Sequence, residues 1–129
     1  MKVLDSDIVI AALRGTGDAI DAVKSLEEKD ELAVASLTEY EVLLGAYFYG
    51  RKMQIDKTEE FFGKYNVLPL DGRASRRAAL IRANLMRKGA DVEDMDVLIA
   101  SVALENDASI VTRNKEHFKR IAGLNVEEW

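Results

Sequence analysis

The sequence predicts an α/β domain: a short parallel β-sheet of four or five strands with helices on both faces. Short β-branched or apolar runs recur along the chain, and they alternate with longer segments whose apolar residues are three or four positions apart. Strands that alternate with helices form parallel sheets, because each helix carries the chain back across one face. The 129 residues suffice for one hydrophobic core, so we expect a single domain over residues 1–129.

The individual elements follow from local patterns. The predicted strands are 2–4, 32–35, 66–70, 109–112 and, from a weaker signal, 124–126. Helical spacing is clear in three of the segments between them, at Ile20, Val23 and Leu26, at Val42, Leu43, Ala46 and Tyr47, and at Leu80, Ile81 and Leu85. Glycines separate the elements, at positions 15, 17, 50, 72, 89 and 123. Function in such sheets collects beyond the carboxyl ends of the strands, which directs attention to the polar residues there.

Composition excludes several kinds of function. The chain has no cysteine, so disulfides, thiolate metal sites and cysteine nucleophiles are impossible, and a cytoplasmic location is compatible with this. The net charge is −5, which argues against a chain-wide attraction to nucleic acid; any RNA contact must be local. The apolar stretch 97–104 is too short to span a membrane.

Polar side chains from four segments are predicted to reach one edge of the sheet. Asp5 ends the first strand, and Glu41 lies in the first turns of the helix after the second strand. Asp96 opens an apolar helix, and the strand after that helix ends in Thr112 and is followed by Asn114. Right-handed crossovers place all of these positions on the same side.

Carboxylates that meet in this way need a cation or a proton. Two unit charges about 4 Å apart repel by roughly 4 kcal/mol at an effective dielectric constant near 20. With no cysteine and only His117 as an imidazole, the ligands are oxygens, which favour Mg²⁺ or Mn²⁺ and suit phosphate chemistry.

Four stretches, LDSDI, TEYEVLLGA, DMDVLIASVAL and SIVTRNKEHF, together resemble the PIN-domain ribonucleases, and in length the small VapC-like toxins of toxin-antitoxin pairs. The resemblance implies a metal-dependent endoribonuclease that hydrolyses RNA phosphodiester bonds, and a small antitoxin protein as its partner. It implies Asp5, Glu41 and Asp96 as ligands of Mg²⁺ or Mn²⁺, with Thr112 at the end of the fourth strand. Asn114 departs from the family, whose members often carry a fourth acid in this loop.

The acids early in the chain also have structural interpretations. Glu41 fits a capping box that begins at Thr38, although a box from Ser36 would leave it free. Asp7 is expected to begin the first helix, near the site but outside the coordination of the metal. Asp5 stands one residue too early for the best helix cap.

The later polar residues have structural interpretations as well. Asp94 fits the N-cap of its helix, which puts Asp96 in the first turn, where the helix dipole favours an acid. Thr112 and Asn114 could make the turn hydrogen bonds that end a strand. His117 is expected to be a partly exposed loop residue.

Two further groups of residues have both packing and binding interpretations. The arginines and lysine at 73, 76, 77, 82, 87 and 88 could grip RNA phosphates or form a solvated helix face. The aromatic and apolar residues at 40, 44, 47, 48, 49, 61, 62 and 65 exceed what one helix face needs for the core. Core packing is the simplest interpretation, and part of the group could form a homodimer surface.

The main alternative function is a phosphoacceptor signalling domain of receiver type, which shares the size, fold class and acidity. It would use Asp71, which follows the third predicted strand, as the phosphate acceptor. Asp5, Ser6 and Asp7 lack the adjacent acid pair that such a domain needs, and Glu41 would have no role. A PIN-like binding module without activity is the other alternative.

Overall fold

The computed structural model describes residues 1–90 and 92–129, in which five strands alternate with seven helices. The strands are β1 (Lys2–Leu4), β2 (Leu32–Ala35), β3 (Asn66–Leu68), β4 (Ser109–Thr112) and β5 (Val126–Glu128). The helices are α1 (Ser6–Leu13), α2 (Gly17–Glu27), α3 (Ser36–Tyr49), α4 (Lys52–Lys64), α5 (Gly72–Arg87), α6 (Asp94–Glu105) and α7 (Lys115–Phe118). None of the helices in these residues is both long and apolar enough to cross a membrane.

The strands form one parallel sheet in the order β3-β2-β1-β4-β5. The central strand β1 has Leu4 opposite Val34 of β2 and Val111 of β4. The carboxyl ends of β1, β2 and β4 are therefore side by side, and the chain leaves each of them at the same edge. The predicted fold class is confirmed.

Alternate residues of the strands face two separate cores, because successive strand side chains point to opposite sides. On one side, Val3, Ala33 and Ile110 pack with α5, α6 and α7. On the other side, Leu4 and Val34 pack with α1, α2, α3 and α4. Both faces of the sheet are buried, as parallel sheets require.

Two strands differ from the prediction. β3 ends at Leu68 instead of position 70, and the next residue is Pro69, which has no amide proton for strand pairing. β5 covers Val126–Glu128, two residues later than predicted. Its pairing with β4 sets these bounds, since Val126 lies opposite Ile110, and this contact is not visible in the local sequence.

The predicted side-chain caps of α3 and α6 do not form, although α3 begins at Ser36 as predicted. The N-cap of α3 is Ala35, without a side-chain cap, so neither capping box forms and Glu41 is free of that role. Ser36 instead accepts a hydrogen bond from the amide of Leu70 at 3.2 Å. The N-cap of α6 is Glu93, and Asp94 is its first helical residue.

Gly50 ends α3 in the left-handed conformation, with φ of +70°. We expect Gly50→Ala to lower the free energy of unfolding by about 1 kcal/mol, because a Cβ disfavours this conformation. Gly63→Ala is the matched control: Gly63 lies within α4, a Cβ there meets nothing within 4 Å, and alanine favours the helix. Chemical denaturation of both variants measures the difference, and an equal effect of the two substitutions would contradict the prediction.

Candidate active site

Four of the five predicted site residues line one cavity at the carboxyl edge of the sheet. The cavity has a volume of about 240 Å³, and Asp5, Glu41, Asp96 and Asn114 are part of its wall. They come from the start of α1, from α3, from α6 and from the loop after β4. The fifth predicted residue, Thr112, is fully buried and bonds to Asp5.

Asp5 is held by hydrogen bonds at both oxygens. Its Oδ1 accepts from the amide of Ser6 at 2.8 Å, and its Oδ2 accepts from the hydroxyl of Thr112 at 2.7 Å. Asp5 is the N-cap of α1, which corrects the expectation that it stands too early to cap. The reason is that only one residue separates β1 from α1, so the residue that follows the strand also caps the helix.

The electrostatic surroundings of Asp5 disfavour its charge. Burial raises the pKa of its carboxyl from 3.8 to about 6, although the hydrogen bond from Thr112 lowers it. The negative charges of Asp7 and Asp96 raise this pKa further. Asp5 is only 6% exposed, so a cation in the cavity would stabilise its ionised form.

Thr112 and Asn114 make the turn hydrogen bond that the strand end predicts; Thr112 also bonds to Asp5, and Asn114 lines the cavity. The amide of Asn114 donates to Oγ1 of Thr112 at 2.9 Å. The hydroxyl of Thr112 lies 2.7 Å from Oδ2 of Asp5 and 3.2 Å from Oδ2 of Asp7. The end of β4 is thereby tied to the start of α1.

His117 is partly exposed, as expected, but it lies in α7 and contacts the site. Its Nδ1 is 3.0 Å from Oδ2 of Asp96 and 2.8 Å from Nδ2 of Asn114. One imidazole nitrogen cannot donate to the carboxylate and accept from the amide at once. The two contacts of His117 are therefore alternatives, and each depends on the tautomer.

Three polar residues of the cavity wall were not predicted as part of the site: Ser6, Asp7 and Glu93. Asp7 was expected near the site, and the structure shows it in the cavity wall, bonded to the amide of Arg113 at 2.8 Å. Glu93 has a sequence signal that could have identified it, because it is an acid directly before a helix that already carries Asp96.

The donor chemistry of the cavity fits Mg²⁺ or Mn²⁺. The charged groups of its wall are carboxylates, and Oγ of the buried Ser6 has no hydrogen-bond partner among the described residues. Within residues 1–90 and 92–129, no three carboxylate or imidazole side chains stand close enough together to hold an ion as they are arranged. Both oxygens of Asp5 accept hydrogen bonds and one oxygen of Asp96 contacts His117, so these side chains would have to turn to bind an ion.

The receiver-type alternative lacks support. Asp71 follows the edge strand β3 and caps α5, where its Oδ1 accepts from the amide of Ala74 at 2.9 Å. It is exposed and is not part of the acidic cavity wall. Nothing about its position couples it to Asp5 or Asp96.

The basic group at 73–88 and the aromatic and apolar group at 40–65 each had a packing and a binding interpretation, and the structure shows how their side chains are placed. Arg77 pairs with Glu105 at 2.7 Å and Arg82 with Asp94 at 3.0 Å, as on a solvated face. In the aromatic group, Phe62 is buried, whereas the large side chains on α3 are exposed, at Tyr40, Leu44, Tyr47, Phe48 and Tyr49. Core packing is thus wrong for the α3 part of the group.

Known proteins match the chain over nearly its full length. The model of the PIN domain family matches residues 2–124. A curated protein of Shigella flexneri, tRNA(fMet)-specific endonuclease VapC, is 30% identical and covers 98% of this chain and 96% of its own length.

Solved structures agree with the sequence matches. A chain in VapBC2 from Rickettsia felis, bound to a promoter DNA fragment, superposes with a TM-score of 0.89 at 25% identity and covers 99% of this chain and 98% of its own. A chain in DNA-bound VapBC from Salmonella typhimurium gives a TM-score of 0.83 at 28% identity over 99% and 97%. The chain belongs to the PIN-domain family, as the resemblance of its four motifs predicted.

Proposed function

We propose that this protein is a metal-dependent endoribonuclease that hydrolyses RNA phosphodiester bonds. The observation that carries the proposal is that Asp5, Glu41 and Asp96, which come from three different parts of the chain, line one acidic cavity. Family membership and the VapC name of the Shigella flexneri relative support the same reaction.

In this proposal Asp5, Glu41 and Asp96 hold Mg²⁺ or Mn²⁺. The bound ion would acidify a water molecule for attack on phosphorus and would neutralise charge on the departing oxygen. Thr112 keeps Asp5 oriented through its 2.7 Å hydrogen bond. Asn114 can orient water through its amide, but it adds no charge, and no protein nucleophile is required.

We also propose that the protein is the toxin of a toxin-antitoxin pair, with a small antitoxin protein as its partner. VapBC is the assembly named in the two solved structures. A second cavity of about 400 Å³ has a mainly apolar wall and shares Ile10 and Glu41 with the acidic cavity. A partner segment bound there would reach the acidic site.

Two further proposals concern assembly and location. The exposed side chains of α3, with Tyr40, Tyr47 and Phe48 among them, support a homodimer, because monomers rarely expose so many large apolar groups together. An RNA substrate supports a cytoplasmic location.

The test is cleavage of a mixed RNA by the purified protein with Mg²⁺, with Mn²⁺ and with a chelator. We expect cleavage with either ion, and we expect the chelator to abolish it reversibly, since the carboxylates alone cannot activate water. Cleavage that is indifferent to the chelator would reject the metal-dependent mechanism. A folded protein that cleaves no RNA under any condition would leave the PIN-like binding module as the function.

A further inference from the structure

Trp129 lies beside the acidic cavity because of the pairing of β4 and β5. Thr112 of β4 is opposite Glu128 of β5, so the residues that follow, Arg113 and Trp129, are also neighbours. Lys2 of the central strand β1 also holds β5, through a 2.8 Å ion pair with Glu127 that reaches across β4. The position of the Trp129 ring is therefore set by the sheet.

The indole of Trp129 contacts two groups next to the site. Its Nε1–H donates to Oδ1 of Asp7 at 3.1 Å. The guanidinium of Arg113 lies 3.6 Å from the centre of the ring, where the ring face attracts a cation. Arg113 also pairs with Asp18 of α2 at 2.5 Å. Both Asp7 and Arg113 are thus held in place by more than one element.

The other oxygen of Asp7 holds the end of β4. Oδ2 of Asp7 accepts from the amide of Arg113 at 2.8 Å and is 3.2 Å from the hydroxyl of Thr112. That hydroxyl has one proton, and its shorter contact, 2.7 Å, is with Asp5. A chain of hydrogen bonds therefore leads from Trp129 through Asp7 and Thr112 to Asp5.

We propose that Trp129 is a positioning residue of the metal site, which acts by fixing Asp7. With Oδ1 bound to the indole, Asp7 keeps Oδ2 on the end of β4 and so holds Thr112 where it orients Asp5. Without the indole N–H, Asp7 is free to turn into the cavity and the β4 end loosens. The inference rests on the proposed function, because it concerns the carboxylate that would bind the ion.

The experiment is a double-mutant cycle of Trp129→Phe and Asp7→Asn. Phenylalanine keeps an aromatic ring for Arg113 but has no N–H. Arg113 and Trp129 bond to different oxygens of Asp7, and Asp7→Asn replaces one of these oxygens by an NH₂ group that cannot accept, so one of the two hydrogen bonds is lost. If Trp129 acts through Asp7, removal of the indole N–H should matter in the wild-type background and have little effect in the Asp7→Asn background.

The first measurement is amide hydrogen exchange at Arg113 and Asn114 in the metal-free protein. We expect Trp129→Phe to accelerate the exchange of both amides by at least about threefold. The amide of Arg113 donates to Asp7 and that of Asn114 donates to Thr112, and both acceptors belong to the hydrogen-bond chain that begins at Trp129. In the Asp7→Asn background we expect no further acceleration. Equal acceleration in both backgrounds, or none in either, would overturn the inference, because a packing role does not depend on Asp7.

The second measurement is Mn²⁺ affinity by calorimetry. We expect Trp129→Phe to weaken binding about tenfold, as loss of partners that orient a ligand does. Faster exchange with unchanged Mn²⁺ affinity would overturn the positioning role at the metal site. If Mn²⁺ binds to no variant and not to the wild type, the proposed function fails, while the exchange cycle still decides whether Trp129 fixes Asp7.

Two controls complete the experiment. Tyr65→Phe removes an aromatic donor to Glu27, away from the cavity, and should change neither the exchange at Arg113 nor Mn²⁺ affinity. Should Trp129→Phe not fold, Asp7→Ala decides, because the chain has one tryptophan and hence one indole N–H signal, and alanine offers that N–H no acceptor. Faster exchange of the indole signal in Asp7→Ala supports the contact, and unchanged exchange refutes it.

Discussion

Asp96→Asn is expected to reduce metal-dependent RNA cleavage by at least about 100-fold, which corresponds to about 2.7 kcal/mol of transition-state stabilisation. The side chain of Asp96 is 15% exposed and lines the same cavity as Asp5 and Glu41. The substitution removes one negative charge from the proposed ion site and leaves the shape of the side chain almost unchanged. Initial rates at saturating Mg²⁺, with circular dichroism as a check of folding, measure the effect.

Asp94→Asn is the matched control for this prediction. Asp94 lies two residues earlier in α6, its side chain is 80% exposed, and it pairs with Arg82 on the surface. We expect its cleavage rate to stay within about twofold of the wild type, because surface ion pairs contribute little. A similar loss of cleavage activity in Asp96→Asn and Asp94→Asn would mean that the start of α6 tolerates no substitution. Equal activity of Asp96→Asn and the wild type would show that Asp96 is not part of the site.

Asp96→Asn should also leave the metal-free protein at least as stable as the wild type. The charge of Asp96 disfavours the ionised form of Asp5, so its removal relieves repulsion. Thermal unfolding in the presence of a chelator tests this. A clear decrease in melting temperature would instead favour the helix-dipole role of Asp96 at the start of α6.

The metal-free protein is expected to lose stability as the pH rises from about 4 to 7, by about 3 kcal/mol through Asp5 alone. The pKa of Asp5 is raised from 3.8 to about 6 in the folded protein, and each pKa unit corresponds to about 1.4 kcal/mol. Below the unfolded value both states carry the proton. Between the two values the folded protein binds more protons than the unfolded chain, so its stability falls with pH, and the penalty is complete above the folded value.

Asp5→Asn should abolish this component of the pH dependence. Asparagine remains a good N-cap for α1, its oxygen can accept from Ser6, and its amide can donate to the oxygen of Thr112. We therefore expect Asp5→Asn to be more stable than the wild type at pH 7.5 and about equal to it at pH 4. Denaturation midpoints across this range check the prediction, and a difference between the two proteins that does not vary with pH would contradict it.

The same shift predicts competition between protons and the metal ion. An ion that binds to Asp5 must displace its proton when the pH is below about 6. Affinity for Mn²⁺ should rise with pH up to about this value and then level off. The burial of Asp5 thus has two expected consequences: it destabilises the metal-free protein at neutral pH, and it makes metal binding dependent on pH.

The sequence by itself determined the fold class, three strands with their bounds and the sheet edge at which four polar residues line one cavity. Strands 2–4, 32–35 and 109–112 were predicted as they are observed, because buried parallel strands are short, continuous apolar runs. Asp5, Glu41, Asp96 and Asn114 could be assigned to one edge because crossover handedness is nearly invariant.

Only the tertiary structure decided how the acidic side chains are held. Cap assignments failed at Ser36 and Asp94 because the local motif competes with contacts from distant residues, such as Leu70 and Arg82. The bounds of β5 likewise depend on pairing with β4. The contact between Trp129 and Asp7 joins residues 122 positions apart, and such contacts arise from packing of the whole chain, which local periodicity does not encode.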